Sequence, residues 1–565
     1  MRRSRTWIIA LLFFLASCAG SRPQRFQMSL AHVNDTHSHL EAVAVTTVLA
    51  GEPITIQAGG FGRLKTILDR MRRDDPELVL LHAGDAVQGT LYFTCFDGSL
   101  DFDFLNLLGV DAMTFGNHEF DRGTAPIAGW IVRSNFPWVS TNIDFSKEPA
   151  IAPLVKPYVI KTIHGEPIAL LGVTTETTPQ STIGAGNTVF RNAVESVQQQ
   201  VDALSASGIN KIILMSHLGY EQDKALAGKV SGVDVIVGGH SHTLLADRKR
   251  LQSIGLIPEG PYPTVVKAPD GSQVLVLQAW KWGLVLGRIE IGFTTDGEIA
   301  AYRSSPVLPV GEDFRNSEGL VIKGSEANRW IRQELEETGV VKIVSEDPAL
   351  VDALKPYTAK LERFRKEQVA VATRDMPIGT DSGPGPLAAA SMLKAVPEAA
   401  VAILNYGGIR KGFSAGPVTL ADVLEALPFA NTLVRVDLSG AQLKQTLEDA
   451  LEYLRIKYGH DTTAAPYLAG ALMELEPTAP AGSRIRSLSV LDETGRFQPV
   501  QEEVVYPTVV NAFVAGGGDG FRVIGNTPGV DTGIIDSDAF LKYLKQLGTI
   551  PADAEQAAAA AGFFQ

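Results

Sequence analysis

The sequence predicts two α/β domains joined by a helical linker, and three observations carry that prediction. At 565 residues the chain is longer than one hydrophobic core organises, since domains run to about 100–200 residues each. Hydrophobic residues make up 45% and charged residues 20%, an ordinary globular composition with apolar mass for two cores. Short apolar runs alternate with amphipathic stretches in two blocks, from residue 26 to about 293 and from about 369 to 548.

In the first block the strand candidates are residues 28–33, 78–82, 112–115, 168–173, 211–215 and 233–237, and the helix candidates are 63–73, 125–134 and 193–205. Residues 325–368 differ: they are charged and helical in pattern, with Pro348 and Pro356 as breaks, and they read as the linker. In the second block strands are expected at 400–404, 433–438 and 504–510, and helices at 420–427, 440–458 and 538–547. The implied units are a leader at 1–17, a tether at 18–27, a first domain at 28–324, the linker at 325–368, a second domain at 369–550 and an alanine-rich, loosely attached tail at 551–565. There are no internal repeats.

Arg2, Arg3 and Arg5 precede an apolar run over residues 7–15, which ends in Leu15-Ala16-Ser17-Cys18, the pattern of an export signal. The run is too short to cross a bilayer, which takes about 20 apolar residues, so cleavage is expected. The Leu-Ala-Ser-Cys ending resembles a bacterial lipobox, in which Cys18 takes a lipid and becomes the new amino terminus. The alternative is an ordinary signal peptidase site with Cys18 incidental. The expected location is the bacterial periplasm or cell surface, with the lipid as the only membrane attachment. With Cys18 acylated, Cys95 is the one cysteine left, and no disulfide can form within the mature chain.

The formal net charge is −13, and it becomes more negative once the three leader arginines are removed. Such acidity excludes nonspecific binding to nucleic-acid polymers, which depends on basic surface. An anionic substrate has to be met locally, by metals or a few arginines.

Residues of metal-binding type stand at the carboxyl ends of five apolar runs: Asn34-Asp35-Thr36-His37, Gly84-Asp85, Gly116-Asn117-His118-Glu119, Ser216-His217 and Gly239-His240-Ser241-His242. Ligands of layered α/β folds bind beyond the carboxyl ends of strands, so five such ends can share one site. Nine of the ten histidines lie before residue 243. Taken alone, His217 or His82 reads as a satisfied core histidine and Asp35 as a turn former or cap; the joint pattern points to metal. Imidazoles suit Zn, Mn, Fe or Co, while carboxylate and amide oxygens fill harder positions. Two cations about 3.5–4 Å apart need a bridging anion, and Asp85, after a flexible Gly84, suits that place.

These motifs resemble the calcineurin-like metallophosphoesterases, and their order and spacing are those of the 5'-nucleotidase and UDP-sugar hydrolase family among them. The resemblance spans nearly the whole mature chain. It implies a four-layer α/β/β/α sandwich for the first domain and a nucleotide-binding α/β second domain. It implies that Asp35, His37, Asp85 and His242 hold one divalent metal and Asp85, Asn117, His217 and His240 the other. It also implies that His118 is catalytic rather than a ligand, with Asp121 orienting it; the alternative is that His118 only supports its neighbours. Some relatives carry Gln where this chain has His242. A protonated histidine held by a carboxylate stabilises charge on the phosphoryl group or leaving oxygen. Glu119, His39, His82 and Asp234 read as structural neighbours, and His32 as buried in its strand.

In the second domain the resemblance rests on Asn405-Tyr406-Gly407-Gly408-Ile409-Arg410, Pro428-Phe429-Ala430-Asn431, a segment at Gly470, and Asn511-Ala512-Phe513 running to Gly517-Gly518-Asp519-Gly520-Phe521. It implies that Phe429 and Phe513 clamp the base, Asp519 binds ribose, Asn405 and Arg410 face the phosphate, Asn431 reads the base edge and Gly470 borders the pocket. The plainer alternative makes both phenylalanines core and residues 516–520 a turn. One departure stands out: where relatives carry an arginine before a helix start, this chain has Gly379-Thr380-Asp381-Ser382-Gly383-Pro384-Gly385-Pro386-Leu387, with Arg374 a few residues upstream.

The expected activity is hydrolysis of nucleotide phosphomonoesters for extracytoplasmic salvage, with extension to UDP-sugars or 2',3'-cyclic nucleotides, by a chain expected to be monomeric. The rivals are a thiosulfohydrolase of the same superfamily and a surface binding protein that lost its chemistry. A swing of the second domain about residues 325–368 is expected to carry substrate to the metals.

Overall fold

The computed structural model describes residues 26–181, 185–379, 383–429, 431–458, 464–476, 479–492 and 494–551. The leader with Cys18, the tail beyond residue 551, Thr380 to Ser382 and Ala430 lie outside the described residues.

Two β-sheets form the centre of the first domain. One has five strands in the order Ile299–Ser304, Gly287–Phe293, Phe26–Val33, Val79–His82 and Ala112–Met113; the other has six, in the order Thr264–Lys267, Gln273–Gln278, Val235–Gly238, Ile212–His217, Glu166–Thr174 and Tyr158–Ile163. Alternation along each strand explains the layering. In Phe26–Val33, Met28 and Leu30 join the core shared with the second sheet, whereas Ala31 and Val33 pack with Leu64 and Leu68 of helix Phe61–Asp74 and Phe102 and Leu105 of helix Ser99–Leu108. The six-stranded sheet is covered by Val197 and Val201 of helix Ala193–Ala206 and Leu226 of helix Tyr220–Ala227. The result is the four-layer α/β/β/α arrangement, and its central strands are apolar on both faces because helices cover what the other sheet does not.

A hairpin of Val43–Leu49 and Glu52–Ala58, not read from the sequence, builds a side sheet with Leu308–Val310 and Val341–Ile343. Helix Ser325–Glu337 sets Ile331 and Leu335 into the core of that sheet. Helix Pro348–Arg365 follows, with Asp347 capping it by accepting from the Leu350 N–H at 2.8 Å. Neither proline is a break: Pro348 occupies the first turn, where a missing N–H costs nothing, and Pro356 is carried inside the helix on an exposed face. Leu350, Leu354 and Leu361 anchor the helix in a core continuous with the second domain.

The second domain centres on a five-stranded sheet in the order Tyr467–Ala469, Val401–Leu404, Val505–Asn511, Thr432–Ser439 and Gly529–Ile535. Helices Pro384–Ala395 and Asp536–Leu547 cover one side, and Gly440–Tyr458 packs its Leu443, Leu447 and Leu451 on the other. Asn405 and Asn511 terminate neighbouring parallel strands and so emerge together.

Candidate metal centre and active site

Five loops leave the carboxyl ends of the two first-domain sheets and converge. Parallel pairing of Phe26–Val33 with Val79–His82, and of Ile212–His217 with Val235–Gly238, delivers Asp35, Asp85, His217 and His240 to the same end. Three groups of metal-type donors lie there, with donor atoms in each within 4.8 Å of one another: Asp35, His37 and His242; His37, Asp85 and His118; Asp85, His217 and His240. Asn117 joins them through its side-chain oxygen, 3.0 Å from His240 Nδ1. The structure therefore brings together all seven residues expected to ligate metal.

The orientation of the rings fits cations. His37 Nδ1 faces the Val87 and Gln88 carbonyls at 3.2 and 3.1 Å, and His217 Nδ1 faces the Ala83 carbonyl at 2.7 Å. A carbonyl only accepts, so both rings hold a proton on Nδ1 and turn Nε2 inward. His37 Nε2 stands 3.0 Å from His242 Nε2 and 3.8 Å from Asp85 Oδ2, and His217 Nε2 stands 3.0 Å from the same Asp85 oxygen. Burial works against charge on His217, yet the Asp85 and Asp35 carboxylates push its pKa up to about 9. A buried pocket with two carboxylates and inward-facing ring nitrogens draws in positive charge, and this donor set suits divalent metal.

Glu119 ties the loops together, accepting from the backbone N–H groups of Asp85 at 3.0 Å, Ala86 at 2.7 Å and Gly116 at 2.6 Å. Asp85 in turn accepts from the His118 backbone N–H at 2.9 Å. The two turns approach so closely that a Cβ on Gly116 would fall 2.0 Å from Asp85 Oδ1, which no other residue allows. His82 accepts from the Gly84 N–H through Nδ1 and meets Thr36 Oγ1 at 3.0 Å, while Asp234 accepts from the Ile212 N–H at 2.7 Å. His32 is fully buried against the Tyr262 hydroxyl at 2.8 Å.

His118 lies beside the cluster, its Nδ1 2.7 Å from Asp121 Oδ2 and its Nε2 3.9 Å from Asp85 Oδ2. Burial alone would lower its pKa, but the carboxylates of Asp121 and Asp85 outweigh burial and hold it well above the ordinary histidine value. The ring thus commits Nδ1 to Asp121 and turns Nε2 toward the cavity.

A cavity of about 500 Å³, ample for a nucleotide, spans both domains. From the first domain it is lined by His37, Asp85, Asn117, His118, His240 and His242, and from the second by Asn405, Arg410, Phe429, Asn431, Phe513 and Asp519. Phe429 and Phe513 are 46% and 48% exposed, so they are not core residues. The Arg410 guanidinium lies 5.7 Å from the Phe429 ring centre. Asn405 donates to Asp519 Oδ2 at 2.7 Å and accepts from Asn511 at 3.0 Å, which aims the Asp519 carboxylate. Gly470 does not line the cavity; it sits between two strands against the Ala400 carbonyl. Asn431 is partly engaged, meeting Asp536 Oδ2 at 3.3 Å.

Sequence reasoning missed Gln88, Lys281, Trp282, Thr432 and Asp531, which also line the cavity. Gln88 stands three residues after Asp85 and was within reach of the motif; Asp531 carries no local signal, being brought in by strand Gly529–Ile535.

A calcineurin-like phosphoesterase family model matches residues 28–244, and a 5'-nucleotidase C-terminal domain model matches 365–526. The chain is 32% identical to a probable 5'-nucleotidase of Treponema pallidum, over 93% of each chain. It is also 32% identical to the NAD 5'-nucleotidase of Haemophilus influenzae, over 95% of this chain and 94% of the relative. The solved structure of the Haemophilus influenzae NAD nucleotidase superposes with a TM-score of 0.81, covering 93% of this chain and 97% of that one.

Proposed function

The chain belongs to the 5'-nucleotidase family of calcineurin-like phosphoesterases and hydrolyses nucleotide phosphoesters with two divalent metals, and from that premise we propose which residues do the work. Asp35, His37, Asp85 and His242 hold one cation, and Asp85, Asn117, His217 and His240 the other, with Asp85 shared. When bound, the cations neutralise the phosphoryl oxygens and lower the pKa of water toward about 7.

The protein side chains do the rest. Phe429 and Phe513 sandwich the base, Asp519 accepts from ribose hydroxyls in the orientation set by Asn405, and Arg410 meets the phosphate. His118, kept protonated by Asp121, donates from Nε2 to the phosphoryl group or to the leaving ribose oxygen, which departs as the nucleoside hydroxyl. Closure of the second domain over the first excludes water from this exchange.

The convergence of six donor residues around Asp85, in the same cavity as the two exposed phenylalanines, carries the reading. Its test is phosphate release from a panel of nucleoside 5'-monophosphates after chelator treatment and reloading with Mn, Zn, Co or Mg. Absence of turnover with every metal would overturn it.

Export is part of the same reading. Residues 2–18 support a cleaved leader and a lipid on Cys18, and no helix among the described residues is long and apolar enough to cross a membrane. Incorporation of labelled palmitate that disappears in Cys18→Ser supports the anchor; labelling that persists removes it.

A further inference from the structure

Strand Gly529–Ile535 is the part of the second domain that meets His118 and Asp121, and it meets them through an irregularity in its pairing. Asp531 pairs with Val434 and Ile535 with Thr432, so the single residue Leu433 faces three, from Thr532 to Ile534, and these bulge out of the sheet. Side chains build the bulge. Asp531 Oδ1 accepts from the Gly533 N–H at 2.9 Å, the turn that an aspartate makes with the backbone two residues on. Asp531 Oδ2 accepts from the Thr432 hydroxyl at 2.6 Å, and the Thr532 hydroxyl donates to the Leu433 carbonyl at 2.8 Å.

Gly533 stands within the bulge. Its carbonyl accepts from the Gln88 side chain at 2.6 Å, and a Cβ on it would fall 2.9 Å from Asp121 Oδ1 and 3.2 Å from His118 Nδ1. Its bare Cα therefore covers the side of the pair that faces the second domain. Asp121 Oδ1 is buried there with no hydrogen-bond partner among the described residues, while Asp121 Oδ2 holds His118 Nδ1 at 2.7 Å. A carboxylate with no competing donor on one oxygen directs its pull at the ring it holds with the other, and pulls harder away from water.

We propose that Asp531 is a positioning residue for the hydrolysis: it pins the bulge that seals Asp121 from water, so that His118 is fixed for donation only when the second domain is docked. The proposal rests on the nucleotide-hydrolase reading and adds to it a residue that acts through the backbone of Gly533. Asp531 also borders the cavity, and the choice of substitution separates pinning from a direct effect of its charge. Asparagine keeps an acceptor for the Gly533 N–H and offers the Thr432 hydroxyl an amide to accept from, whereas alanine removes both pins.

The experiment uses the Zn-loaded full chain with AMP, wild type against Asp531→Ala, Asp531→Asn and Thr432→Val. Asp531→Ala is expected to lose about 10- to 100-fold in kcat with KM changed less than about threefold, and Asp531→Asn to recover most of that loss. Thr432→Val removes one pin of two and is expected to fall between wild type and Asp531→Ala. In ¹⁵N-histidine-labelled protein the His118 Nδ1–H is identified by its disappearance in His118→Asn. It is expected to exchange with water at least about tenfold faster in Asp531→Ala than in wild type, and at close to the wild-type rate in Asp531→Asn. Unchanged kcat or unchanged exchange in an Asp531→Ala protein of wild-type melting temperature overturns the proposal. Equal losses in Asp531→Asn and Asp531→Ala overturn it too, because charge and not pinning would then be the cause. Should Asp531→Ala fail to fold, Thr432→Val decides: slower turnover with faster exchange supports the proposal, and wild-type values of both overturn it. A wild-type chain that releases no phosphate from AMP with Zn or any other metal overturns the nucleotide-hydrolase reading instead, and the exchange rates still test the pinning.

Discussion

The side-chain amide of Gln88 in the first domain donates to the backbone carbonyl of Gly533 in the second at 2.6 Å. Gly533 has φ 71°, and a Cβ there would stand 2.9 Å from Asp121 Oδ1 and 3.0 Å from His118 Cε1. The second domain therefore rests against the His118–Asp121 pair. Gln88→Leu is expected to lower kcat/KM for AMP about three- to tenfold, the worth of one hydrogen bond, with little change in melting temperature. Gly533→Ala is expected to cost about 100-fold by displacing His118, and steady-state kinetics on both variants check the order.

His118→Asn removes the cavity-facing N–H while leaving the ligands in place. The expected loss in kcat is about 10²- to 10⁴-fold at unchanged metal content, measured by phosphate release alongside elemental analysis. Asp121→Asn, which keeps a hydrogen-bonding group but withdraws the charge that holds His118 protonated, is expected to lose less.

Asp85→Asn tests the proposed sharing of that carboxylate between two cations. Metal content is expected to fall below that of wild type, with kcat down at least about 100-fold. Chelation should lower the wild-type melting temperature and readded metal restore it, because ligand binding to the folded state stabilises it by about 2.7 kcal/mol at 100 times Kd. The same addition should leave the Asp85→Asn melting temperature nearly unmoved.

Asp223, bonded to the residue next to His217, gives a pH signature of stability. It is fully buried, accepts from Ser216 on one oxygen and has no partner on the other, and burial pushes its pKa up to about 8. Its unfolded value is near 3.9, so between about pH 4 and 8 the folded state binds more protons than the unfolded one. The stability due to this proton is fully present below about pH 4 and is lost as pH rises through 8. Urea midpoints of wild type are expected to decline from pH 5 to 9, and those of Asp223→Asn to decline less, by a difference on the order of 1–2 kcal/mol at pH 9.

Most of the centre was legible because each donor sits next to a strand that announces itself by its apolar run; Asp35, Asp85, His217 and His240 needed only parallel pairing to meet. The side hairpin Val43–Leu49 and Glu52–Ala58 was hidden because its exposed face interrupts the hydrophobic pattern. Pro356 misled because a proline inside a helix loses one hydrogen bond, and tertiary anchoring by Leu354 and Leu361 outweighs that loss. Lys281, Asp531 and Gly533 had no local signal, since what they do depends on which distant surface they face.

Asp35, His37, Asp85, His240 and His242 all have positive φ, between 48° and 71°. Each position would be more comfortable as glycine, which has no donor atom to offer. Grafting these side chains onto another scaffold would thus fail unless the kinked main chain travelled with them. Conversely, a glycine at any of the five should make the apoprotein easier to fold while emptying one coordination position, so that fold robustness and metal capture pull in opposite directions along the same few residues.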